Sequence, residues 1–479
     1  MTFNGDHDQQ NPNLQKTIED LFDQSLKSPL LGGSDYLRPV KLTLDAISLA
    51  PNDPNVLCKA AAIMFMVQNA RGLELAQELY ERLSIMEPDY SEALNRLCSL
   101  AMVNGQYDKA SQYAWKLNGK HSEGNPKTLF LMARAFRLQG DKKQAQICYR
   151  QVIDTLCSGN SSFPDGAQSR LVPLAAYLGG WLDEAEEAMQ RLCIAGGKKA
   201  FAENQALSPS LRTQLRKLRE ITRGKDICIC GNGPSIQAFV DKPSLFKSKD
   251  IGFMGLNNFS IVWDDIIGQV DAEQMSLVII SHPNVLLNNS SDLEAFLRKP
   301  YPTMVLLSDF ALYHVLGKES QKYLYELDHK IFKYGVNDDL PPSLKEPLNL
   351  PSMNTMLCAL SIAVIGQPRR IFLLGFDQNI SGDDPEREGA IRYKQNDNRY
   401  ADLKRSVFSD SEYTAWRNHD ANWLRWDAIR VNETSMVTLH MLSLIYGVDL
   451  PPIYNVCPNS ALEAFPKIDV QKFKELISK

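Results

Sequence analysis

No stretch of this chain reaches the roughly 18 to 20 consecutive apolar residues that a membrane-spanning helix needs. The longest apolar runs, Leu357–Ile365 and Ile371–Phe376, have only the length of core elements. The opening residues, Met1-Thr-Phe-Asn-Gly-Asp-His-Asp-Gln-Gln, lack the basic start and apolar centre of a secretory signal. An excess of charge of one sign is missing too. Against 52 Lys and Arg stand 57 Asp and Glu, a net charge of −5, which speaks against general nucleic-acid binding. The nine cysteines have no paired spacing apart from Cys228 and Cys230. An odd count without a disulfide framework suits a reducing compartment, so the cytoplasm is the expected location. Cys228 and Cys230 alternate with isoleucine on an expected strand. Core thiols are the plain reading, and metal or redox use the alternative.

What is present is long enough for two or three domains, because 479 residues exceed one hydrophobic core. Residues 15–205 repeat. Ala76 and Ala110 are 34 residues apart, Ala110 and Ala145 are 35 apart, and each occupies the small position of an amphipathic helix. Ala110, Ala145 and Ala185 each follow a glycine by five residues: Gly105, Gly140 and Gly180. Pro54 and Pro88 are also 34 apart, at the passage from one repeat to the next. Leu97-Cys98, Gly105, Tyr107 and Ala110 make one unit; Met132-Ala133, Phe136, Gly140, Ala145 and Tyr149 make another. This pattern resembles the tetratricopeptide repeat, in which small residues let two helices touch, glycine turns the chain, and proline separates repeats. About four repeats are expected. The resemblance implies an all-α solenoid whose concave face binds a protein partner, with a spacer or oligomerisation module as the plainer alternative. Residues 206–225 follow as a basic linker helix, with Leu211, Leu215 and Leu218 between Arg212, Arg216, Lys217 and Arg219. Packing between domains is the plain reading of that helix, and peripheral membrane association the alternative.

From Asp226 the pattern changes. Asp226-Ile-Cys-Ile-Cys230 reads as a buried parallel strand and runs directly into Gly231-Asn-Gly-Pro-Ser235. Two glycines after a strand allow a sharp turn and close approach of a ligand, and Ser235 is placed to cap a following helix. Backbone N–H groups at such a turn favour a phosphate, although an ordinary strand-to-helix turn has the same look. Further strands are expected at Ile251–Met254, Leu277–Ser281, Thr303–Leu307, Ile371–Leu374 and Ile453–Val456. Helices are expected at Asn354–Ile365, capped by Ser352, and at Tyr413–Ile429 and Thr434–Tyr446. Alternation of this kind implies an α/β, Rossmann-like domain over residues 226–479, with a mostly parallel sheet and ligands at the carboxyl ends of its strands.

The landmarks of this region, in order, are Gly231–Ser235, Gly255-Leu-Asn257, Ser281-His282-Pro283, Leu357–Ala363, Gly375-Phe-Asp377 and Tyr454-Asn-Val-Cys-Pro-Asn-Ser460. Their order and character resemble the bacterial sialyltransferases of glycosyltransferase family 42. They also resemble the motility accessory factors and the 6-hydroxymethylpterin pyrophosphokinase-like domain of unknown function 115. The resemblance covers roughly residues 226 to 465 and implies a CMP-activated nine-carbon acidic sugar as donor. It carries the nucleotide contacts over to Gly231, Asn232, Gly233, Ser235 and Asn257, with Gly375 where a backbone approaches the nucleotide. Asn459 and Ser460 stand at another strand end, with a helix cap as their equal alternative. His282 replaces the family's second asparagine before proline, Asn379 stands where a tyrosine is expected, and Tyr393 or Tyr400 is the substitute hydroxyl.

The histidine that acts as base in the sialyltransferases has no counterpart before Thr434; the chain reads Val431-Asn-Glu-Thr434. A base must take the acceptor's proton as an oxocarbenium-like centre forms. Glu433 and His419 are the candidates, against a helix cap for Glu433 and an exposed helical position for His419. Asp383-Asp384 lies in turn chemistry, so no metal is expected. The expected function is transfer of a nonulosonic sugar from a CMP donor to a glycan or protein acceptor recruited by the repeats. The donor is a substrate, and no separate cofactor is expected. The rivals are ATP-dependent pyrophosphoryl transfer to a pterin, and a non-catalytic scaffold.

Overall fold

The computed structural model describes residues 12–27, 37–66, 70–118, 125–157, 171–191, 209–231, 233–240, 250–256, 277–280, 304–308, 331–336, 348–350, 354–377, 426, 428–444 and 447–478. They form two compact units that divide between Ala145 and Gln146.

The first unit is helical: α1 (Pro12–Lys27), α2 (Leu37–Leu49), α3 (Pro54–Met66), α4 (Ala70–Met86), α5 (Ser91–Val103), α6 (Tyr107–Asn118), α7 (Pro126–Gln139) and the start of α8 (Lys142–Cys157). Consecutive helices pack on one another, α3 on α4, α5 on α6 and α6 on α7. Ala76 and Ala110 are fully buried, and Cys98 lies close enough to donate its thiol to the Ala110 carbonyl at 3.3 Å. The small residues thus do what their spacing predicts. Caps come from Asp53, which accepts from Asn55 N–H at 2.8 Å, and from Asn125, which accepts from Lys127 N–H at 2.9 Å.

The repeat is visible in its backbone bonds. Gly105, Gly140 and Gly180 have φ of 70°, 89° and 87°. Across each glycine the next residue donates five positions back: Gln106 to Ala101, Asp141 to Phe136 and Trp181 to Ala176. This is the Schellman closure of a helix, which needs a left-handed residue. The third copy lies in the second unit, between α9 (Leu171–Gly179) and α10 (residues 182–191). There Arg150 of α8 donates to both Glu184 carboxylate oxygens at 2.7 and 3.0 Å and stacks 3.9 Å over the Trp181 ring.

The described residues in the rest of the second unit are built on eight parallel strands. These are β1 (Asp226–Cys230), β2 (Ile251–Leu256), β3 (Leu277–Ile280), β4 (Met304–Ser308), β5 (Ile331–Val336), β6 (Leu348–Leu350), β7 (Arg370–Leu374) and β8 (Ile453–Asn455). Their order is β6-β5-β4-β3-β2-β1-β7-β8. The chain therefore steps outward from β1 in one direction, then returns to lay β7 and β8 on its other side. β5 and β6 go beyond the strands expected from sequence.

Both faces of β1 are covered. Ile227 and Ile229 join Met254, Ile371 and Leu373 in one apolar layer. Over it lie α11 (Pro209–Thr222), α13 (Thr355–Ile365) and α14 (residues 428–444), through Leu215 and Leu218, Leu360 and Val364, and Val431 and Leu439. The leucine stripe of the basic helix α11 is thus buried on the sheet, while Arg212 and Arg216 are exposed. On the opposite face Phe372 meets Phe473 of α15 (Val470–Ile477) edge-on at 4.9 Å. Phe473 also meets Phe239 of α12 (Gln237–Val240) at 5.5 Å. Pairs of this geometry contribute about 0.5–1.5 kcal/mol each beyond their area. Cys228 and Cys230 are fully buried, and burial pushes both thiols up, so they stay protonated core groups.

At the amino end of β1, Asp226 is a buried carboxylate. Arg369 binds its two oxygens at 2.9 and 2.8 Å, and Arg370 binds them at 2.9 and 2.6 Å. Burial pushes this carboxyl upward, but the two guanidinium groups outweigh it and hold it below its ordinary value. The pair ties β1 to β7 at the end of the sheet opposite the site described next.

Candidate functional site

Strand order reverses at β1, with β2 on one side and β7 then β8 on the other, and such a reversal leaves a crevice at the carboxyl ends of β1 and β7. In open parallel sheets ligands settle in that crevice. Three of the motif segments end there: Gly231–Ser235 after β1, Gly375-Phe-Asp377 after β7, and Cys457–Ser460 after β8.

Asp377 joins them. Its Oδ2 accepts from the Ser235 backbone N–H at 3.1 Å and from the Ser235 hydroxyl at 2.8 Å. Its Oδ1 accepts from the Cys457 thiol at 3.1 Å, and its carbonyl accepts from Ala461 N–H at 2.9 Å. Burial first, then the Asp377 carboxylate, pushes the Cys457 thiol up to about 11, so at neutral pH it is the donor of that bond. The Ser460 hydroxyl donates to the Phe376 carbonyl at 2.5 Å and accepts from Leu462 N–H at 3.0 Å. One carboxylate and one hydroxyl thus knit three loops from distant parts of the sequence.

The glycines serve this knot. Gly231 N–H donates to Leu374 at 2.8 Å and Gly233 N–H to Gly375 at 2.8 Å. A Cβ on Gly231 would come within 2.8 Å of the Gly375 carbonyl oxygen. A Cβ on Gly233 would come within 2.5 Å of that oxygen and would collide with the Asp377 carboxylate. Gly375 itself has φ of 71°. The close approach permitted here is therefore backbone to backbone. Ile236 N–H completes the set by donating to Gly233 at 3.1 Å. All four N–H groups described in residues 231–236 donate within the protein, and the seat expected for a phosphate at Ser235 holds the Asp377 carboxylate.

Several local expectations change. Ser235 does not cap the helix behind it; it lies inside a short 3₁₀ turn, Pro234–Ile236, and turns to Asp377. Ser460 caps no helix either, because the next helix begins at Val470. Asn354 caps α13, accepting from Met356 N–H at 2.9 Å and Leu357 N–H at 3.3 Å, while Ser352 lies outside the described residues. No helix starts at Thr434. α14 runs unbroken through residues 428–444, so Glu433 is a mid-helix residue rather than a cap, and it is buried at 1% exposure. The Thr434 and Ser435 hydroxyls bond back to Arg430 and Val431 carbonyls at 2.8 and 2.6 Å. That back-bonding satisfies them inside a helix.

Asn432, unremarked in the sequence, explains why the helix can continue there. Its amide nitrogen donates to the Ala461 carbonyl at 3.0 Å. Its oxygen accepts from Glu463 N–H at 2.7 Å and Ala464 N–H at 3.1 Å. This side chain holds the segment that follows Ser460 and so supports the third loop. Gly231, Gly233, Ser235, Gly375 and Ser460 gather at the crevice, and Asn459 is exposed on its rim. Asn232, Asn257, His282, Asn379, His419, Tyr393, Tyr400 and Asp383-Asp384 lie outside the described residues. Among the described residues no helix is long and apolar enough to cross a membrane.

No protein-family model matches the chain, and no curated protein does. Among solved structures, a crystal structure of MamA protein is 13% identical over 38% of this chain and 91% of its own, at a TM-score of 0.29. A second MamA crystal structure is 16% identical over 35% of this chain and 91% of its own, at 0.28. An O-GlcNAc transferase variant from Thermobaculum terrenum is 12% identical over 91% of this chain and 99% of its own, at 0.25. At such scores a likeness carries neither fold nor chemistry across.

Proposed function

We propose that this chain is a glycosyltransferase that moves a sialic-acid-like nonulosonic sugar from a CMP-activated donor to a glycan or protein acceptor. The observation that supports the reading is convergence. The three described motif segments that resemble family 42 come to one crevice, where parallel strand order reverses, as in Rossmann-like nucleotide sites. In this reading the side-chain amides of Asn232 and Asn257 hold the phosphate, since the described backbone N–H groups of the first turn are engaged. His282, Asn379 and Asn459 line the remainder of the donor site. The repeat helices recruit the acceptor. The acceptor hydroxyl bonds to the anomeric carbon, its proton passes to Glu433 or His419, and CMP leaves with the bonding electron pair.

A thermal-shift screen of the full chain against CMP, ATP and UDP-sugars tests this. CMP should stabilise the second unit by about 2.7 kcal/mol at a concentration of 100 times its Kd. CMP release from a CMP-nonulosonate should fall about 10²- to 10⁴-fold in Glu433→Gln or His419→Asn, whichever removes the base, with CMP binding kept. A shift with ATP and magnesium alone would favour the pterin pyrophosphokinase-like rival, and no shift with any nucleotide would favour a scaffold.

A further inference from the structure

Asn455 is the last residue of β8, and it is fully buried. Among the described residues neither its amide nitrogen nor its amide oxygen has a hydrogen-bond partner. Its backbone is held by the segment that follows: its N–H donates to Pro466 at 2.9 Å, and its carbonyl accepts from Ile468 N–H at 2.9 Å. It lies beside Leu373 in the register of β7 and β8. Tyr454 stacks on Phe372 across one face of the sheet, so alternation sends Asn455 to the other, where Ile453 packs on the layer of Ile371 and Leu373. Two residues later Cys457 bonds to Asp377 at the crevice. A buried amide with both groups unengaged is costly, and a leucine of similar volume would avoid the cost. The fixed backbone keeps the amide from turning out to water.

We infer that Asn455 reads the base of the bound nucleotide, its amide pairing with the base's hydrogen-bonding edge; this rests on the nucleotide-site reading above. A side-chain amide presents a donor and an acceptor side by side, the complement of the edge of cytosine or adenine. No group among the described residues pins the amide in one orientation. It can therefore also turn to match the reversed pattern of uracil. Asn455 thus recognises a base without choosing between cytosine and uracil. Because Asn455 is fully buried, a base reaches its amide only if the side chains over it move.

Calorimetry of the full chain with CMP and with ribose 5-phosphate tests the inference. The wild type should prefer CMP by about 5- to 150-fold, the range of one bidentate base contact. Asn455→Leu should lose that preference, with ribose 5-phosphate bound as before, and Asn455→Ser should do the same if the leucine variant fails to fold. UMP should show the same dependence on Asn455. Unchanged CMP affinity in a folded variant would overturn the inference, leaving an internal water as the amide's partner. An equal loss for CMP and ribose 5-phosphate would overturn it too, since it marks a structural role. If the wild type binds a purine nucleotide in place of CMP with the same Asn455 dependence, the inference stands and the CMP assignment falls. Binding of no nucleotide would overturn both.

Discussion

The glycines between the repeat helices and the glycines of the crevice are the same residue used for opposite reasons. At Gly140 and Gly180 φ is 89° and 87°, and an added Cβ would meet no atom within 4 Å. There glycine supplies a backbone shape, and space is free. At Gly231 and Gly233 no positive φ is needed, yet an added Cβ would run into main chain of the β7 loop. There glycine supplies room. A shape requirement costs about 1–2 kcal/mol when violated, because only one residue is strained. A space requirement couples two loops, so its violation moves both.

The largest effect should therefore come from Gly233. Gly233→Val should destabilise the second unit by on the order of 4 kcal/mol or more, through overpacking against fixed backbone. Truncation of Asp377 should not rescue it, since the Gly375 carbonyl remains 2.5 Å away. A cooperative urea transition at the wild-type midpoint would refute the space requirement. Because the substitution acts through packing, a lost nucleotide shift in this variant says nothing about a phosphate.

Next in size is Asp226→Ala, which leaves Arg369 and Arg370 facing an empty buried position and should cost roughly 3–5 kcal/mol at neutral pH. The same carboxylate predicts a pH dependence. Its folded value lies below the unfolded value of about 3.9, so its contribution is complete above that pH and disappears as pH falls through the folded value. Acid titration of unfolding should lose that part of its slope in Asp226→Asn, and an unchanged slope would mean that another group carries it.

Asp377→Asn should cost about 1.5–3 kcal/mol, the range for hydrogen bonds to a charged group. Hydrogen exchange at Ser235 and Ala461 should rise together in this variant, and exchange at one without the other would split the knot. The smallest effect belongs to the repeats: Gly140→Ala should cost about 1–2 kcal/mol, and Gly140→Asn less, because asparagine tolerates the left-handed region. Equal losses for the two would mean that space, not shape, is limiting there too.

Strand β1 was legible to the residue, and β2, β7 and β8 to within two, because each is a short apolar run ended by a turn signal. The repeat turns were legible for the same local reason. β5 and β6 were not: Ile331-Phe-Lys-Tyr-Gly-Val336 carries lysine and glycine, and Leu348-Asn-Leu350 is three residues long. Asn432-Glu-Thr434 has the look of a helix start, but the contact of Asn432 with residues 461–464 lets the helix run on. In the sequence Asp377 stands out only as part of a motif. Its partner Ser235 is 142 residues away, and no local pattern announces such a pairing. In the sequence Asn455 is an ordinary strand residue, and only its surroundings mark it.

The return of the chain to β1 sets the order in which this protein is made. β1 is synthesised first among the strands, yet its Asp226 waits 144 residues for Arg370. At about 5–20 residues per second that interval lasts roughly 7 to 29 s, while the repeat helices, whose contacts are local, have already closed. The first turn of the crevice stays without its Asp377 partner throughout that time, and the last loop arrives only with Ala461. A ribosome stalled between residues 256 and 370 would therefore carry finished helices beside an open, apolar β1 edge. That edge is where a chaperone would be needed, and where premature chains would aggregate.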